Sequence, residues 1–468
     1  MILPAQHPLS LTSSSLYTTT TASPPPSHNP RLPIGSFFSL GDSYSAGIGA
    51  TCSWITDSFD PSGSCLKCAG AYPYQIIEIA NSSSPSSSSS PQPKSRSKSG
   101  YDEDRKTETE KEPAPHLYHL GCTGASIPDI LVRGWDNRTS QLELMQTQRD
   151  SLRDGCDSCD EEGCEEEECE EKGEVPKWAT VSIGGNDVGF GDIVAECVMW
   201  HSNTAACEDA MARAEERLGD PGLLEGLVRV YEAVIEVGVG DGEGEQEFTL
   251  IVPGYARFFN EQTEECDGKF FLRGRYLTRE FRARLNAMIE RLNLVIRIAV
   301  AVTQMELVLG NRRGSVWFED WDGAFEGRRF CEVGEGRHWE KDAWFFTVLG
   351  EDDLGGGDEV EGGVDAPAGE EVVDFKKIGR ECEIGVFGKG AWDERLLCNW
   401  ARVLEEERAG IELGDGDGRM NGEGEGELEK LSKTVYPWYV KKAMHPKSIA
   451  HRKLGKIIYR KWMEGEYS

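Results

Sequence analysis

The pattern of apolar and polar positions switches between two periods along the chain. Short apolar runs that end in glycine-bearing turns read as buried strands: residues 36–40 ahead of Gly41-Asp42-Ser43, 178–183 ahead of Gly184-Gly185-Asn186-Asp187, 248–252 ahead of Pro253-Gly254-Tyr255, and a shorter run at 316–318. Between them the spacing lengthens. Residues 278–307 place Phe281, Leu285, Met288, Leu292, Val295 and Ile296 at helical spacing, and 223–237 and 449–462 behave alike. Strands alternating with helices predict an α/β domain of three layers around a mostly parallel sheet, because each parallel return needs a crossover that a helix fills. Function in such sheets gathers beyond the carboxyl ends of the strands, where these glycine turns fall.

Long polar tracts interrupt the pattern. Residues 1–33 are rich in Ser, Thr and Pro and read as a disordered leader, since such a composition buries too little apolar surface to offset its ordering entropy. One domain is expected over residues 34–465, with low-complexity inserts at about 82–115, 148–175, 350–372 and 405–429. Hydrophobic residues are 38% of the 468 and aromatics 9%, low for a compact domain, but they are concentrated between the tracts and leave room for a sizeable core.

Charge and cysteine content narrow the setting. A formal charge of −32, from 50 Lys and Arg against 82 Asp and Glu, argues against nucleic acid, whose binding depends on cations that displace counterions. Acidic blocks such as Glu165 to Glu168 read as solvated loops, ahead of calcium binding or a basic partner. Fourteen cysteines spread along the chain favour disulfides and an oxidising, extracellular setting. Cys197 with Cys207, Cys266 with Cys331 and Cys382 with Cys398 are plausible local pairs, with connectivity left open. The sequons at Asn81 and Asn137 fit a secretory route, although the N-terminus lacks the basic and apolar regions of a signal peptide. No run of apolar residues approaches a membrane span, so a soluble protein is expected; a monomer is expected as well.

Four short blocks carry candidate chemistry. Gly41-Asp42-Ser43 sets a hydroxyl at the mouth of a strand, where the amides of a following helix would face it, although an isolated Ser there is most often a helix cap. Gly121-Cys122-Thr123-Gly124-Ala125-Ser126 leaves backbone amides open to close approach, and by itself is simply a loop. In Gly184-Gly185-Asn186-Asp187 two glycines turn the chain and a carboxamide can donate to a developing oxyanion, while an Asx turn is the plainer reading. Met444-His445-Pro446 holds a histidine in extended backbone ahead of a helix; a lone histidine is more often structural.

In this order and spacing the four blocks resemble those of the SGNH (GDSL-like) hydrolase superfamily, most closely its secreted esterase and lipase branch of actinobacterial and fungal members. Residues 183–190 and Gly254-Tyr255-Ala256-Arg257-Phe258-Phe259 look like further signatures of that branch, and Phe325 through Cys331-Glu332 echoes its cysteine segment. The resemblance covers about 34–80, 116–147, 177–346 and 431–462, and leaves the inserts out. It implies a flavodoxin-like sheet and hydrolysis of a small-molecule, lipid or esterified-glycan ester without metal or organic cofactor. By it, Ser43 is the nucleophile and His445 the base, and Ser43 N–H, Gly124 N–H and the Asn186 side chain form the oxyanion hole.

One departure stands out. The family commonly carries an Asp three residues before its histidine, and Lys442 is there instead. An acid fixes the imidazole tautomer, and its loss in serine proteases costs ~10⁴ in rate. Some relatives use a backbone carbonyl, so a Ser–His dyad with a carbonyl near Lys442 as acceptor is the reading taken, against a distant carboxylate. The same departure motivates the alternative of a non-catalytic binding protein on this scaffold; a surface protein whose polar tracts matter more than its core is a third possibility.

Other features weigh less. Cys156, Cys159, Cys164 and Cys169 are spaced too tightly for a typical zinc ribbon and favour two disulfides. His445 and His451 lie six apart, off the one-turn spacing of a helical metal pair, which makes His451 structural. Trp344, Phe345, Phe346, Trp438 and Tyr439 suit core packing ahead of an acyl pocket.

Overall fold

A computed structural model describes residues 34–51, 55–61, 63–83, 115–134, 139–154, 174–199, 204–240, 247–267, 277–333, 342–346 and 442–467. Five strands form one fully parallel sheet: β1 (Phe37–Gly41), β2 (Leu117–His119), β3 (Trp178–Ser182), β4 (Thr249–Pro253) and β5 (Ser315–Glu319), in the spatial order β2-β1-β3-β4-β5. The four expected strands are all present within a residue or two. The additional strand, β2, spans three residues at the sheet edge, pairs through Phe37 with Leu117 and Phe38 with Tyr118, and is half-buried, so it leaves little apolar pattern.

Ten helices follow the strands among the described residues: α1 (Ser43–Ala46), α2 (Tyr72–Ser83), α3 (Ile127–Leu131), α4 (Gln141–Asp154), α5 (Gly185–Val188), α6 (Phe190–Ile193), α7 (Thr204–Gly219), α8 (Pro221–Val239), α9 (Arg279–Leu309) and α10 (Ser448–Glu464). Their ends carry recognisable signals. Asp220 caps α8 by accepting from Gly222 N–H, with Pro221 at the first helical position, and Thr278 caps α9 by accepting from Phe281 N–H. Helices α4, α8 and α9 cover one face of the sheet, while α2 and α10 pack on each other over the opposite face. Phe37 stacks on Trp178 at 4.1 Å between centroids, and Trp178 meets Trp462 of α10 at 4.8 Å, which seats the C-terminal helix on the core. The three layers and parallel sheet are those predicted from the sequence.

Two readings change. Helix α4 continues to Asp154, so residues 148–154 of the expected insert belong to the fold: Arg149 is buried and donates to the Val237 carbonyl while pairing with Asp150. Helix α9 is, by length and composition, long and apolar enough to cross a membrane, which the sequence reading did not expect. Here its apolar side packs on α8 and β5, and Arg282, Asn286 and Asn293 are buried and hydrogen-bonded along the same helix.

The disulfides Cys197–Cys207 and Cys266–Cys331 are formed, as is Cys65–Cys122, whose sequence separation of 57 gave no cue. Cys68 is disulfide-bonded too. The leader, residues 84–114, 155–173, 350–372 and 405–429 of the expected inserts, Cys156, Cys159, Cys164, Cys169, Cys382, Cys398, Asn137, Trp438 and Tyr439 lie outside the described residues.

Candidate active site

The chain leaves β1 toward β2 on one side and leaves β3 toward β4 on the other, so the loops after these adjacent strands diverge and open a crevice at their carboxyl ends. Gly41 ends β1 at φ +125°, and a Cβ there would lie 2.2 Å from the Ser182 carbonyl oxygen, so no larger residue fits. Gln141, buried at the start of α4, closes on the same glycine from both ends: its Oε1 accepts from Gly41 N–H at 2.7 Å and its Nε2 donates to Gly41 O at 2.9 Å. Asp42 then caps α1 by accepting from Tyr44 N–H at 3.0 Å. These contacts deliver Ser43 to the first helical turn, where backbone N–H groups have no partner within the helix.

His445 comes to Ser43 from the far end of the chain. Its Nε2 lies 2.7 Å from Ser43 Oγ and its Nδ1 lies 3.1 Å from the Ala443 carbonyl oxygen. The loop carrying it is held like a short strand: Met444 N–H donates to Phe346 O, Phe346 N–H to His445 O, and Lys447 N–H to Trp344 O. Met444 sits at φ +63°, a conformation uncommon for a side chain of its size. Lys442 places its ammonium over the Phe346 ring, 4.6 Å from the centroid. A backbone carbonyl therefore faces Nδ1, one residue beyond Lys442. Burial pushes the His445 pKa down to about 4, only partly opposed by backbone groups of Ala443 and Lys442.

The two other predicted blocks meet across the same crevice. Asn186 Nδ2 donates to Ala125 O at 2.9 Å, and the Asp187 carboxylate accepts from Ile127 N–H at 3.1 and 3.2 Å, which ties the Asn186 turn to the Gly124 turn. Gly124 adopts φ +88°, a conformation that glycine alone reaches cheaply. The Cys65–Cys122 disulfide and the bond from Thr123 N–H to Cys65 O anchor this second turn. All four predicted residues, Ser43, Gly124, Asn186 and His445, line one open cleft. Much of its remaining wall is apolar, with Phe190, Val194, Phe258, Ile289 and Met444 beside Asp42, Tyr44, Thr123 and Tyr255.

Under the turn bearing Ser43 lies a buried carboxylate that the sequence does not mark as special. Asp42 Oδ1 also accepts from Ser182 Oγ at 2.7 Å, and its Oδ2 accepts from the Tyr255 hydroxyl at 2.5 Å. Burial raises its pKa to about 6 against these hydrogen bonds, and burial likewise raises Asp187 to about 6. His451 is fully buried on α10, where its Nδ1 accepts from Tyr72 N–H at 3.3 Å. Phe345 and Phe346 are buried as well, and Phe345 stacks on Phe325 as a core residue would. Among the described residues no group of three or more His, Cys, Asp or Glu side chains could hold a metal ion.

No family model matches the chain, and no curated protein does. Among solved structures it is similar to an extracellular lipase from Streptomyces rimosus, at 22% identity and a TM-score of 0.40, over 67% of this chain and 88% of that one. A phospholipase A1 from Streptomyces albidoflavus is similar at 22% identity and a TM-score of 0.36, again over 67% and 88%. An acetyl-xylooligosaccharide esterase from Geobacillus is similar at 13% identity and a TM-score of 0.26, over 63% and 80%.

Proposed function

We propose that the protein is a serine hydrolase that cleaves carboxylic esters through an acyl-enzyme on Ser43. The observation that carries this reading is the 2.7 Å contact between Ser43 Oγ and His445 Nε2 in a cleft that Gly124 and Asn186 also line. His445 takes the Ser43 proton as the hydroxyl oxygen attacks the ester carbonyl carbon. The oxyanion is received by Ser43 N–H, Gly124 N–H and the Asn186 carboxamide, each such donor being worth ~3 kcal/mol in the transition state. His445 returns the proton to the departing alkoxide. It then takes a proton from water, whose hydroxide attacks the acyl carbon, and hands it back to Ser43 as the acid leaves.

The Ala443 carbonyl supports a dyad in place of a triad: it accepts from Nδ1–H and so favours the tautomer whose Nε2 can act as base. Lys442 therefore gives no reason to prefer the binding-protein reading. The apolar wall beside Ser43 suits the acyl chain of a lipid-like ester, although an esterified glycan presents the same carbonyl. Three disulfides among the described residues favour an oxidising, extracellular compartment.

Turnover of p-nitrophenyl acetate, butyrate and octanoate tests the proposal. Wild type is expected to hydrolyse at least one ester, with Ser43→Ala and His445→Ala reduced to background; turnover unchanged in either variant removes that residue from the mechanism.

A further inference from the structure

The Tyr255 hydroxyl lies between the nucleophile turn and the Asn186 turn. It donates to Asp42 Oδ2 at 2.5 Å and accepts from Gly185 N–H at 3.1 Å. Gly185 opens α5, a helix whose N-cap, Gly184, has no side chain to satisfy that turn. The phenol supplies the missing acceptor. A Cβ on Gly185 would sit 3.2 Å from three atoms of Tyr255, tight enough that the phenol would have to give by a few tenths of an ångström.

Tyr255 is itself fixed from two directions. Asn293 on α9 accepts from Tyr255 N–H at 2.8 Å and donates to Tyr255 O at 2.7 Å, and the phenol ring meets Tyr44 edge-on at 4.8 Å. The opposite oxygen of Asp42 holds Tyr44 N–H and Ser182 Oγ. One carboxylate and one phenol thus join the turn bearing Ser43, the end of β3 and the turn bearing Asn186.

We infer that Tyr255 is a positioning residue that sets the Asn186 carboxamide against Ser43 by anchoring the Gly185 amide to Asp42. The inference rests on the ester-hydrolase reading. Removing the hydroxyl leaves Gly185 N–H buried without its acceptor and frees the Asn186 turn to shift, which weakens the hole for the transition state and leaves ground-state binding alone. The ring contacts survive in Tyr255→Phe.

A double-mutant cycle tests this. In wild type, Tyr255→Phe should lower kcat ~10- to 100-fold with KM unchanged, as the Gly185 N–H loses its acceptor and Asp42 Oδ2 one of its donors. In an Asn186→Ala background the same substitution should cost less than about twofold, since the group it positions is gone. An equal loss in both backgrounds, or a rise in KM without loss of kcat, overturns the inference and leaves the hydrolase reading standing. A wild type without activity on any ester overturns both. If Tyr255→Phe fails to fold, difluorotyrosine at position 255 keeps the hydroxyl and weakens it as an acceptor, and its cycle against Asn186→Ala is read the same way.

Discussion

His445 Nδ1 faces the carbonyl oxygen of Ala443 at 3.1 Å, two residues back in the same turn. The acceptor is neutral and part of the loop's own backbone, so orientation of the imidazole depends on the loop and no carboxylate is needed to hold it. It also means that no adjacent negative charge offsets the burial of the ring, and the pKa is pushed down from 6.5 to about 4.

That shift predicts an acid-tolerant rate profile. The base is active when neutral, so activity persists above the folded pKa and is lost as pH falls through it. With phosphate-free buffers and a neutral ester, kcat/KM should stay flat from pH 7 to about 5 and fall ~10-fold per unit below about 4. Circular dichroism at each pH separates this limb from unfolding. A limb near 6 instead would assign the controlling proton to Asp42, whose buried carboxyl is raised to about that value.

Asn186 donates one amide hydrogen to Ala125 O, and in the proposed mechanism its other hydrogen is the donor to the reacting oxygen. Asn186→Ala should therefore lower kcat by ~10²–10³ with little change in KM. Steady-state kinetics on a short ester checks this, and an unchanged kcat removes Asn186 from the oxyanion hole.

The Cys65–Cys122 bond closes a loop across 57 residues of sequence and ends beside Gly124. Replacing both cysteines by serine should lower stability by ~4 kcal/mol on loop-closure grounds, measured by urea unfolding. A loss under about 1 kcal/mol would show that the Gly124 turn is held chiefly by its hydrogen bonds.

Val194 lines the apolar wall of the cleft and is buried. Val194→Trp should fill that wall and lower kcat/KM for an octanoyl ester ~10-fold or more relative to the acetyl ester. Equal losses on the two esters would place the acyl chain elsewhere.

Much of this was legible in the sequence because it rests on local pattern. The strands β1, β3, β4 and β5 are continuous apolar runs closed by glycine turns, and α8, α9 and α10 carry long apolar stripes. Helix α4 escaped because it is largely polar, with Met145 its one buried apolar residue among the described side chains. Ser43, Gly124, Asn186 and His445 were readable as turn-borne residues. What brings them together was not: Gln141 reaching Gly41 across 100 residues, and Tyr255 reaching Asp42 across 213, are contacts that only the folded crevice creates. The acceptor near Lys442 was expected in kind, and the carbonyl facing Nδ1 proves to be that of the next residue.

The most direct test is active-site labelling with a fluorophosphonate, followed by peptide mass mapping. The account predicts a single adduct on Ser43, abolished in Ser43→Ala and strongly slowed in His445→Ala, because only a serine deprotonated by its neighbouring base attacks the phosphorus at a useful rate. A folded wild-type protein that takes no label, or one labelled at another residue, would contradict it.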